Sequence, residues 1–217
     1  MLEPDEVKVS CPVLRGLGAG NSPRPPDTSG IFFGCAVAAY LNVWHREYMS
    51  NIILETERLK LEMIGEDRFD DLYKLLSNEK VHKYFPKALN EIESKDFYEK
   101  ILSKYKTDGY CFWAVIRKND NEFLGICGIV NQNIDGQVES EIGYRLLDSF
   151  WCNGYGTEAA KGCIDYAKNK LSKKSVISLI RSINTPSIRV AEKNGFHFEK
   201  ETIFHELPHR VYRLKLT

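Results

Sequence analysis

The sequence predicts a mixed α/β fold in which helices cover both faces of one sheet. Two observations lead to this fold class. Residues 110–147 contain three runs rich in β-branched and aromatic residues at hairpin spacing, and residues 157–216 alternate between strand and helix patterns. Hairpin connections produce antiparallel strands, whereas a strand, helix, strand connection produces parallel ones. We therefore expect a three-layer domain with a mixed sheet.

Composition agrees with a globular domain and excludes several classes of protein. The chain has 217 residues, 43% of them hydrophobic and 12% aromatic, and 30 basic residues balance 30 acidic ones. A core of ordinary size can form, which excludes a disordered or fibrous chain. A formal net charge of zero argues against nucleic-acid binding, because such surfaces are usually basic. Six cysteines without a C-x-x-C pair predict no metal site, no disulfide framework and a reducing, cytoplasmic compartment.

Residues 1–48 differ from the rest of the chain. They contain five of the eight prolines and show no periodicity up to Gly30, which predicts a disordered or non-native extension. The apolar run 31–40 is shorter than the roughly 20 residues of a membrane span, and the segment before it lacks the positive charge of a signal peptide. We expect no membrane anchor, with a short membrane-touching segment as the alternative. The folded domain is expected to comprise residues 49–217.

Periodicity predicts the elements of this domain in order. The first are a strand at 58–63 and helical stretches at 66–76, 79–85 and 92–105. An antiparallel meander follows, with strands at 110–117, 122–130 and 137–147. The last elements are a helix at 157–171, a strand at 175–181, a helix at 186–193, and strands at 196–204 and 210–216.

A glycine-containing turn precedes the predicted helix at 157–171. Residues 151–157 read WCNGYGT. Glycines let the backbone approach a ligand closely, and a helix N-terminus offers free N–H groups to an anion such as a pyrophosphate. Residues 154–159 also fit the dinucleotide pattern G-x-G-x-x-A, but the upstream meander and the absence of an acidic residue at 171–185 argue against that site. Taken alone, the segment fits a plain tight turn equally well.

Three further motifs accompany this turn in a fixed order. ETERLKL opens the domain at 55–61, EIGY occupies 141–144, and N-x-x-S-x-x-V-x-E-K-x-G-F spans 184–196. Together the motifs resemble the GNAT superfamily of acetyl-CoA-dependent N-acetyltransferases, in the branch similar to the enzymes that acetylate ribosomal-protein N-termini. The resemblance covers residues 52–217. It implies a sheet of six or seven strands, in which two parallel neighbours splay apart and acetyl-CoA enters the gap.

The resemblance also implies how acetyl-CoA, as cosubstrate, would be held. Its pantetheine arm would bond the strand edge near Leu146 and Leu147, and its pyrophosphate would meet the N–H groups of residues 153–157. The implied contact residues are Leu146, Leu147, Trp151, Cys152, Asn153, Gly154, Tyr155, Gly156, Thr157, Asn184 and Ser187. Cys152 and Asn153 replace a glycine and a basic residue of the family turn, so we expect weaker CoA binding that backbone N–H groups still sustain.

Acyl transfer to an amine requires a base and an acid. Glu139 and Glu141 share one strand face, and mutual repulsion with partial burial would raise one pKa. Glu141 is the favoured base by its position in the motif, and an exposed structural pair is the alternative. The resemblance implies Ser187 as the acid, because Ala191 stands where many members have tyrosine. Asn184 is expected either to bond backbone and pantetheine groups or to cap a helix.

These observations predict an N-acetyltransferase that transfers acetyl from acetyl-CoA to a primary amine by direct attack in a ternary complex. A non-catalytic acyl-CoA-binding module and a nucleotide-binding oxidoreductase are the alternatives. The acceptor stays open among a protein N-terminus, a polyamine, an amino acid and an aminoglycoside. We expect no nucleic-acid partner, no membrane and no metal, and a monomer or homodimer.

Overall fold

Eight strands form one sheet in residues 52–216, the part of the chain that the computed structural model describes. The predicted extension 1–48 lies outside the described residues. The strands are β1 Ile52–Glu55, β2 Leu59–Glu62, β3 Phe112–Arg117, β4 Phe123–Ile134, β5 Gln137–Leu146, β6 Ser175–Ile180, β7 His197–Phe204 and β8 Leu207–Lys215. Their order in the sheet is β1-β2-β3-β4-β5-β6-β8-β7. The mixed α/β class is confirmed.

The count of eight strands exceeds the six or seven expected, because β1 carries little sequence signal. Its four residues, IILE, do not alternate and are fewer than those of an average strand. A turn closed by the N–H of Thr56 on the carbonyl of Leu59, at 2.9 Å, folds β1 back on β2. The two strands then pair antiparallel at the edge of the sheet.

Four α-helices lie along the chain between these strands. They are α1 Phe69–Leu76, α2 Glu91–Asp108, α3 Tyr155–Asn169 and α4 Thr185–Lys193. Local chemistry sets the bounds of α2: Asn90 and Glu93 form a reciprocal capping box at its start, and Gly109 ends it at φ 79°. The stretch predicted as helical at 79–85 is a 3-10 helix, Val81–Tyr84. Among residues 52–216, no helix is long and apolar enough to cross a membrane.

The helices cover the sheet on both faces, each through its own core. On one face, α3 presents a stripe of small residues to the strands: Ala159, Ala160, Cys163, Ile164 and Ala167. On the other face, α1 and α2 contribute larger side chains: Leu72, Leu75, Leu76, Phe97, Tyr98 and Ile101. Small residues let α3 approach the sheet closely, so its N-terminus lies near the strand ends.

The sheet separates where its one parallel pair occurs. β5 and β6 run parallel, and Glu141 and Ile177 are their one registered pair. By contrast, β4 and β5 are registered over ten pairs. Because the two strands part beyond Glu141, the sheet opens a gap there, as the family resemblance implied.

Candidate active site

A cavity of about 740 Å³ occupies the gap between β5 and β6. Strand residues 141–146 and 178–181, the turn at 150–157 and α4 line it on one side. Residues 81–89 and part of α2 line it on the other. A cavity of this size suits a ligand of cofactor dimensions.

The glycine-containing turn forms the N-terminus of α3 at the wall of this cavity. Gly154 is the N-cap at φ 81°, and no side chain caps the helix. The first N–H groups of a helix have no partner within it, so those of Tyr155, Gly156 and Thr157 are available to an anion. Of the residues predicted to hold a pyrophosphate, all but Asn153 line the cavity. Asn153 shapes the turn instead, because its Nδ2 donates to the carbonyl of Trp151 at 2.9 Å.

Arg58 braces this turn, a role that the sequence analysis missed. Its Nε donates to Glu158 in the first turn of α3 at 2.7 Å, and its Nη1 donates to the carbonyl of Asn153 at 3.1 Å. The guanidinium also lies 4.5 Å from the ring centroid of Tyr155. Thr56 adds a hydrogen bond of 2.6 Å to Glu158. The ETERLKL motif therefore holds the turn, and this motif was the signal that could have revealed the brace.

The strand edge expected to bind pantetheine is only partly available. Leu146 lines the cavity, but its carbonyl accepts a hydrogen bond from the indole Nε1 of Trp151 at 2.8 Å. The N–H of Leu147 donates to the carbonyl of Leu124 in β4 at 2.9 Å, and the side chain of Leu147 is buried in the core. Leu147 is absent from the described lining of the cavity, and its N–H faces β4 rather than the gap, so Leu146 is the better placed of the two for a pantetheine arm.

Glu141 lies in the cavity with a fixed orientation. Its carboxylate accepts from Nε2 of Gln132 at 2.9 Å and from the N–H of Leu179 at 3.4 Å. Burial raises the pKa of Glu141 above its ordinary value and outweighs these bonds and the nearby Arg145 charge. Of the two causes that we expected, burial raises this pKa, and repulsion by Glu139 does not contribute.

Glu139, on the same strand face, has the opposite environment. Arg213 in β8 donates to both of its carboxylate oxygens, at 2.7 and 3.0 Å. These charge-assisted bonds hold the pKa of Glu139 below its ordinary value. Glu139 does not line the cavity, so its carboxylate serves the ion pair with Arg213.

Ser187 and Asn184 meet at the start of α4. Oδ1 of Asn184 accepts from the N–H of Ser187 at 3.2 Å, the geometry of a helix N-cap. The hydroxyl of Tyr144 donates to the carbonyl of Ser187 at 2.9 Å and lies 3.0 Å from its Oγ. Burial raises the pKa of Tyr144. The sequence analysis did not assign Tyr144 to the site, although the EIGY motif contains it.

A second group that the sequence analysis missed surrounds Arg145. The guanidinium carbon lies 3.9 Å from the ring centroid of Phe85 and 5.5 Å from that of Phe97. Nη1 lies 3.3 Å from Nε2 of His82, whose Nδ1 is 3.1 Å from the carbonyl of Asn78. Because Nδ1 must donate to that carbonyl, Nε2 is the acceptor of the Arg145 hydrogen bond. Burial lowers the pKa of His82 to about 4 and that of Arg145 to about 10.

The cavity is strongly basic, although the whole chain is neutral. Its described lining contains one carboxylate, that of Glu141, and seven cationic residues. These are Lys83, Lys87, Lys100, Arg145, Arg181, Arg189 and Lys193. Within residues 52–216, no group of three His, Cys, Asp or Glu side chains is arranged to hold a metal ion. The charge distribution suits a polyanionic ligand.

Known proteins are similar to this chain in sequence, and solved structures are similar to it in fold. The family model of the acetyltransferase (GNAT) domain matches residues 58–197. The uncharacterized protein YkkB of Bacillus subtilis (strain 168) is 35% identical over 163 residues, which cover 75% of this chain and 95% of YkkB. The uncharacterized N-acetyltransferase YoaA of the same strain is 25% identical, over 68% of this chain and 84% of YoaA.

A solved acetyltransferase structure has a similar fold. The ribosomal L7/L12 α-N-protein acetyltransferase RimL, in complex with coenzyme A, superposes with a TM-score of 0.62 at 18% identity. The superposition covers 76% of this chain and 98% of RimL. The extent of the family match and the identity to YkkB show that this chain belongs to the GNAT family, and it is an acetyl-CoA-dependent acyltransferase.

Proposed function

We propose that the protein transfers an acetyl group from acetyl-CoA to a primary amine, on a small molecule or a protein N-terminus, by direct attack in a ternary complex. The observation that carries this proposal is Glu141. A carboxylate held in place by Gln132 and Leu179, with its pKa raised by burial, lies where the two parallel strands part. A base of raised pKa is what removal of a proton from an ammonium group near neutral pH requires.

The turn at the N-terminus of α3 is the proposed site of the CoA pyrophosphate. Its uncapped N–H groups and the positive end of the helix dipole favour a phosphate. Nδ2 of Asn194 donates to the carbonyl of Thr157 at 3.3 Å, which places the end of α4 beside this turn. Arg189 and Lys193 of α4 line the same cavity and carry charge that the phosphates of CoA need. Leu146, at the strand edge, is the proposed neighbour of the pantetheine arm.

The chemistry follows from these positions. Glu141 accepts a proton from the acceptor ammonium, and the free amine then forms a C–N bond with the thioester carbonyl carbon. The C–S bond breaks, the new amide nitrogen releases its second proton to solvent, and the thiolate of CoA takes a proton from Oγ of Ser187 as that hydroxyl takes one from solvent. Tyr144 orients that hydroxyl through its contact of 3.0 Å. A thiolate is a tolerable leaving group, since a free thiol has a pKa near 8.5, so a weak acid is sufficient.

The proposal is tested by measuring release of CoA thiol from acetyl-CoA against a panel of amines, with the product identified by its added acetyl mass. The panel contains amino acids, polyamines, an aminoglycoside and short peptides with free N-termini. We expect turnover with at least one class, and saturation by both substrates. Tight binding of acetyl-CoA without CoA release on any amine would instead identify a non-catalytic acyl-CoA-binding module.

A further inference from the structure

Glu141 and Arg145 lie on one face of β5, four residues apart, with Gly143 between them. A Cβ atom at Gly143 would lie 2.8 Å from Cε1 of Phe112, so the aromatic ring packs directly on this glycine. The strand therefore presents a carboxylate and a guanidinium at two ends of an apolar strip. All four residues line the cavity.

The guanidinium of Arg145 has no direct anionic partner among residues 52–216, although the charge of Glu141 acts on it from a greater distance. Among residues 52–216, it forms no ion pair within 4 Å, although its burial lowers its pKa. Its described contacts are two aromatic rings and Nε2 of His82. A guanidinium has five N–H donors in a planar fork that matches a carboxylate. Buried charges are normally paired, so the N–H donors of Arg145 that His82 does not use are suited to bind an anion from outside the chain.

CoA is not placed to supply that anion. Side chains alternate along a strand, so Tyr144 and Arg145 occupy opposite faces of β5. Tyr144 contacts Ser187 of α4, on the face of the pyrophosphate turn. Arg145 contacts Phe97 of α2 and residues of the segment 81–85, on the other face. The proposed phosphate site uses the cations of α4, whereas Arg145 lies on the opposite face of β5.

We propose that Arg145 binds the carboxylate of the acceptor, so that the substrate is a small amino acid, in the chemical sense of an amine that carries a carboxylate. The inference rests on the proposed acetyl transfer and narrows its acceptor. Glu141 receives the proton of the ammonium while the Arg145 fork holds the carboxylate by two parallel hydrogen bonds. Phe85 and Phe112 surround the carbon atoms between these two groups.

The same charges disfavour the other acceptors that the sequence left open. Lys83 and Lys100 line this end of the cavity together with Arg145. A polyamine or an aminoglycoside carries several positive charges and would meet like charges here. A protein N-terminus has no backbone carboxylate close to its amine. An amino acid satisfies both Glu141 and Arg145 with one small molecule.

The test compares each of the common L-α-amino acids, β-alanine and 4-aminobutyrate with its own carboxamide, which keeps the amine and removes the charge. For the accepted compounds we expect kcat/KM of the acid to exceed that of the amide by about 10- to 100-fold, the usual range for a hydrogen bond to a charged group. Arg145→Gln should reduce this ratio at least tenfold, through KM. Arg145→Lys, which keeps the charge without the fork, should give an intermediate ratio.

Two controls separate this specificity from a general loss of structure. Arg210→Gln removes a cation that pairs with Glu201 on the surface and does not line the cavity, so the ratio should stay at the wild-type value. Stabilisation of each Arg145 variant by acetyl-CoA in a thermal melt shows that it folds and binds its cosubstrate. A wild-type enzyme that uses acids and amides equally, or an Arg145→Gln variant that keeps the preference, would overturn the proposal while leaving acetyl transfer intact.

Failure of the proposed function can be recognised separately. If no amine is acetylated, calorimetric titration of the CoA-saturated protein with each acid and its amide still measures the preference and its dependence on Arg145. Equal binding of acid and amide then rejects the carboxylate site as well. O-phosphoethanolamine used in preference to every amino acid would identify the anion as a phosphate and overturn the carboxylate assignment.

Discussion

Two glutamates on the same strand show how environment assigns function at the scale of single residues. Glu139 faces Arg213, which lowers its pKa, whereas Glu141 is buried at the cavity, which raises its pKa. Residue type does not distinguish the two glutamates, and the position of Glu141 in the EIGY motif favours it without giving a physical reason. The distinction comes from Arg213, 74 residues away along the chain.

Replacement of Glu141 by glutamine should separate activity from stability. Without the base we expect kcat/KM to fall by about 10²- to 10⁴-fold near pH 7, with partial recovery at high pH, where the amine deprotonates itself. Because burial raises the pKa of Glu141 in the folded state, its protonated carboxyl is tolerated at low pH and its buried charge destabilises the fold at high pH. The contribution of Glu141 to the free energy of unfolding is therefore fully present below the unfolded pKa and is lost as pH rises through the folded pKa. Glu141→Gln should therefore raise Tm relative to wild type at pH 8 and not at pH 4. An unchanged pH–rate profile would assign Glu141 a structural role.

Glu139→Gln is the matched control, with the opposite sign. The ion pair with Arg213 lowers the pKa of Glu139 in the folded state. The charged carboxylate therefore stabilises the fold above the unfolded pKa, and this stabilisation is lost as pH falls through the folded pKa. We expect a lower Tm than wild type at pH 8, a difference that narrows on acidification, and a pH–rate profile of wild-type shape. If Glu139→Gln instead abolished the acidic limb of that profile, Glu139 would be the base.

At the scale of elements, the N-terminus of α3 combines a binding surface with its own support. Backbone N–H groups face the cavity while Arg58, Thr56 and Glu158 hold the turn from behind. Glu158 also lies in the first turn of α3, where a carboxylate interacts favourably with the helix dipole. The anion site therefore depends on the turn between β1 and β2, at the edge of the sheet.

Gly154→Val should abolish acetyl-CoA binding. Its φ of 81° is a conformation that a β-branched residue rarely adopts, so the turn must distort and its N–H groups lose their alignment. Gly136, at φ 82° with no atom within 4 Å of an added Cβ, is a matched control outside the cavity. Gly136→Val should lower Tm comparably and keep the wild-type dissociation constant. Equal affinity of both variants, measured by calorimetry, would contradict this placement of the pyrophosphate.

Gly156 shows a limit of the sequence argument for this turn. A side chain there would meet Leu146 and Val190 only at ordinary contact distances, 3.6 and 4.0 Å. The pattern of two glycines predicts strain at both positions, and the structure places it at Gly154 alone.

Periodicity predicted the helices and the central strands, because their apolar faces repeat along the chain. It could not predict the brace of Arg58 on Asn153 or the pairing of His82 with Arg145, which join residues 95 and 63 positions apart.

At the scale of the whole molecule, neutral charge conceals a segregated distribution. The 30 basic and 30 acidic residues cancel in sum, yet the described lining of the cavity has seven cations and one carboxylate. A fold with two covered faces places acidic side chains such as Glu139 and Glu158 in ion pairs outside the cavity. Net charge was therefore no guide to the potential inside the site.

Deletion of residues 1–48 should leave folding and cosubstrate binding intact. The eight described strands and the sequence motifs of the site all follow residue 51, and residues 1–30 show no periodic face that could pack on a fold, so we expect the site to need no group from the deleted segment. Saturation with acetyl-CoA at about 100 times its dissociation constant should stabilise both the full chain and the truncated one by about 2.7 kcal/mol. For a domain of this size the rise in Tm is about 5–10 °C. Aggregation of the truncated chain, or a rise seen only with the full chain, would show that the apolar run 31–40 belongs to the working fold.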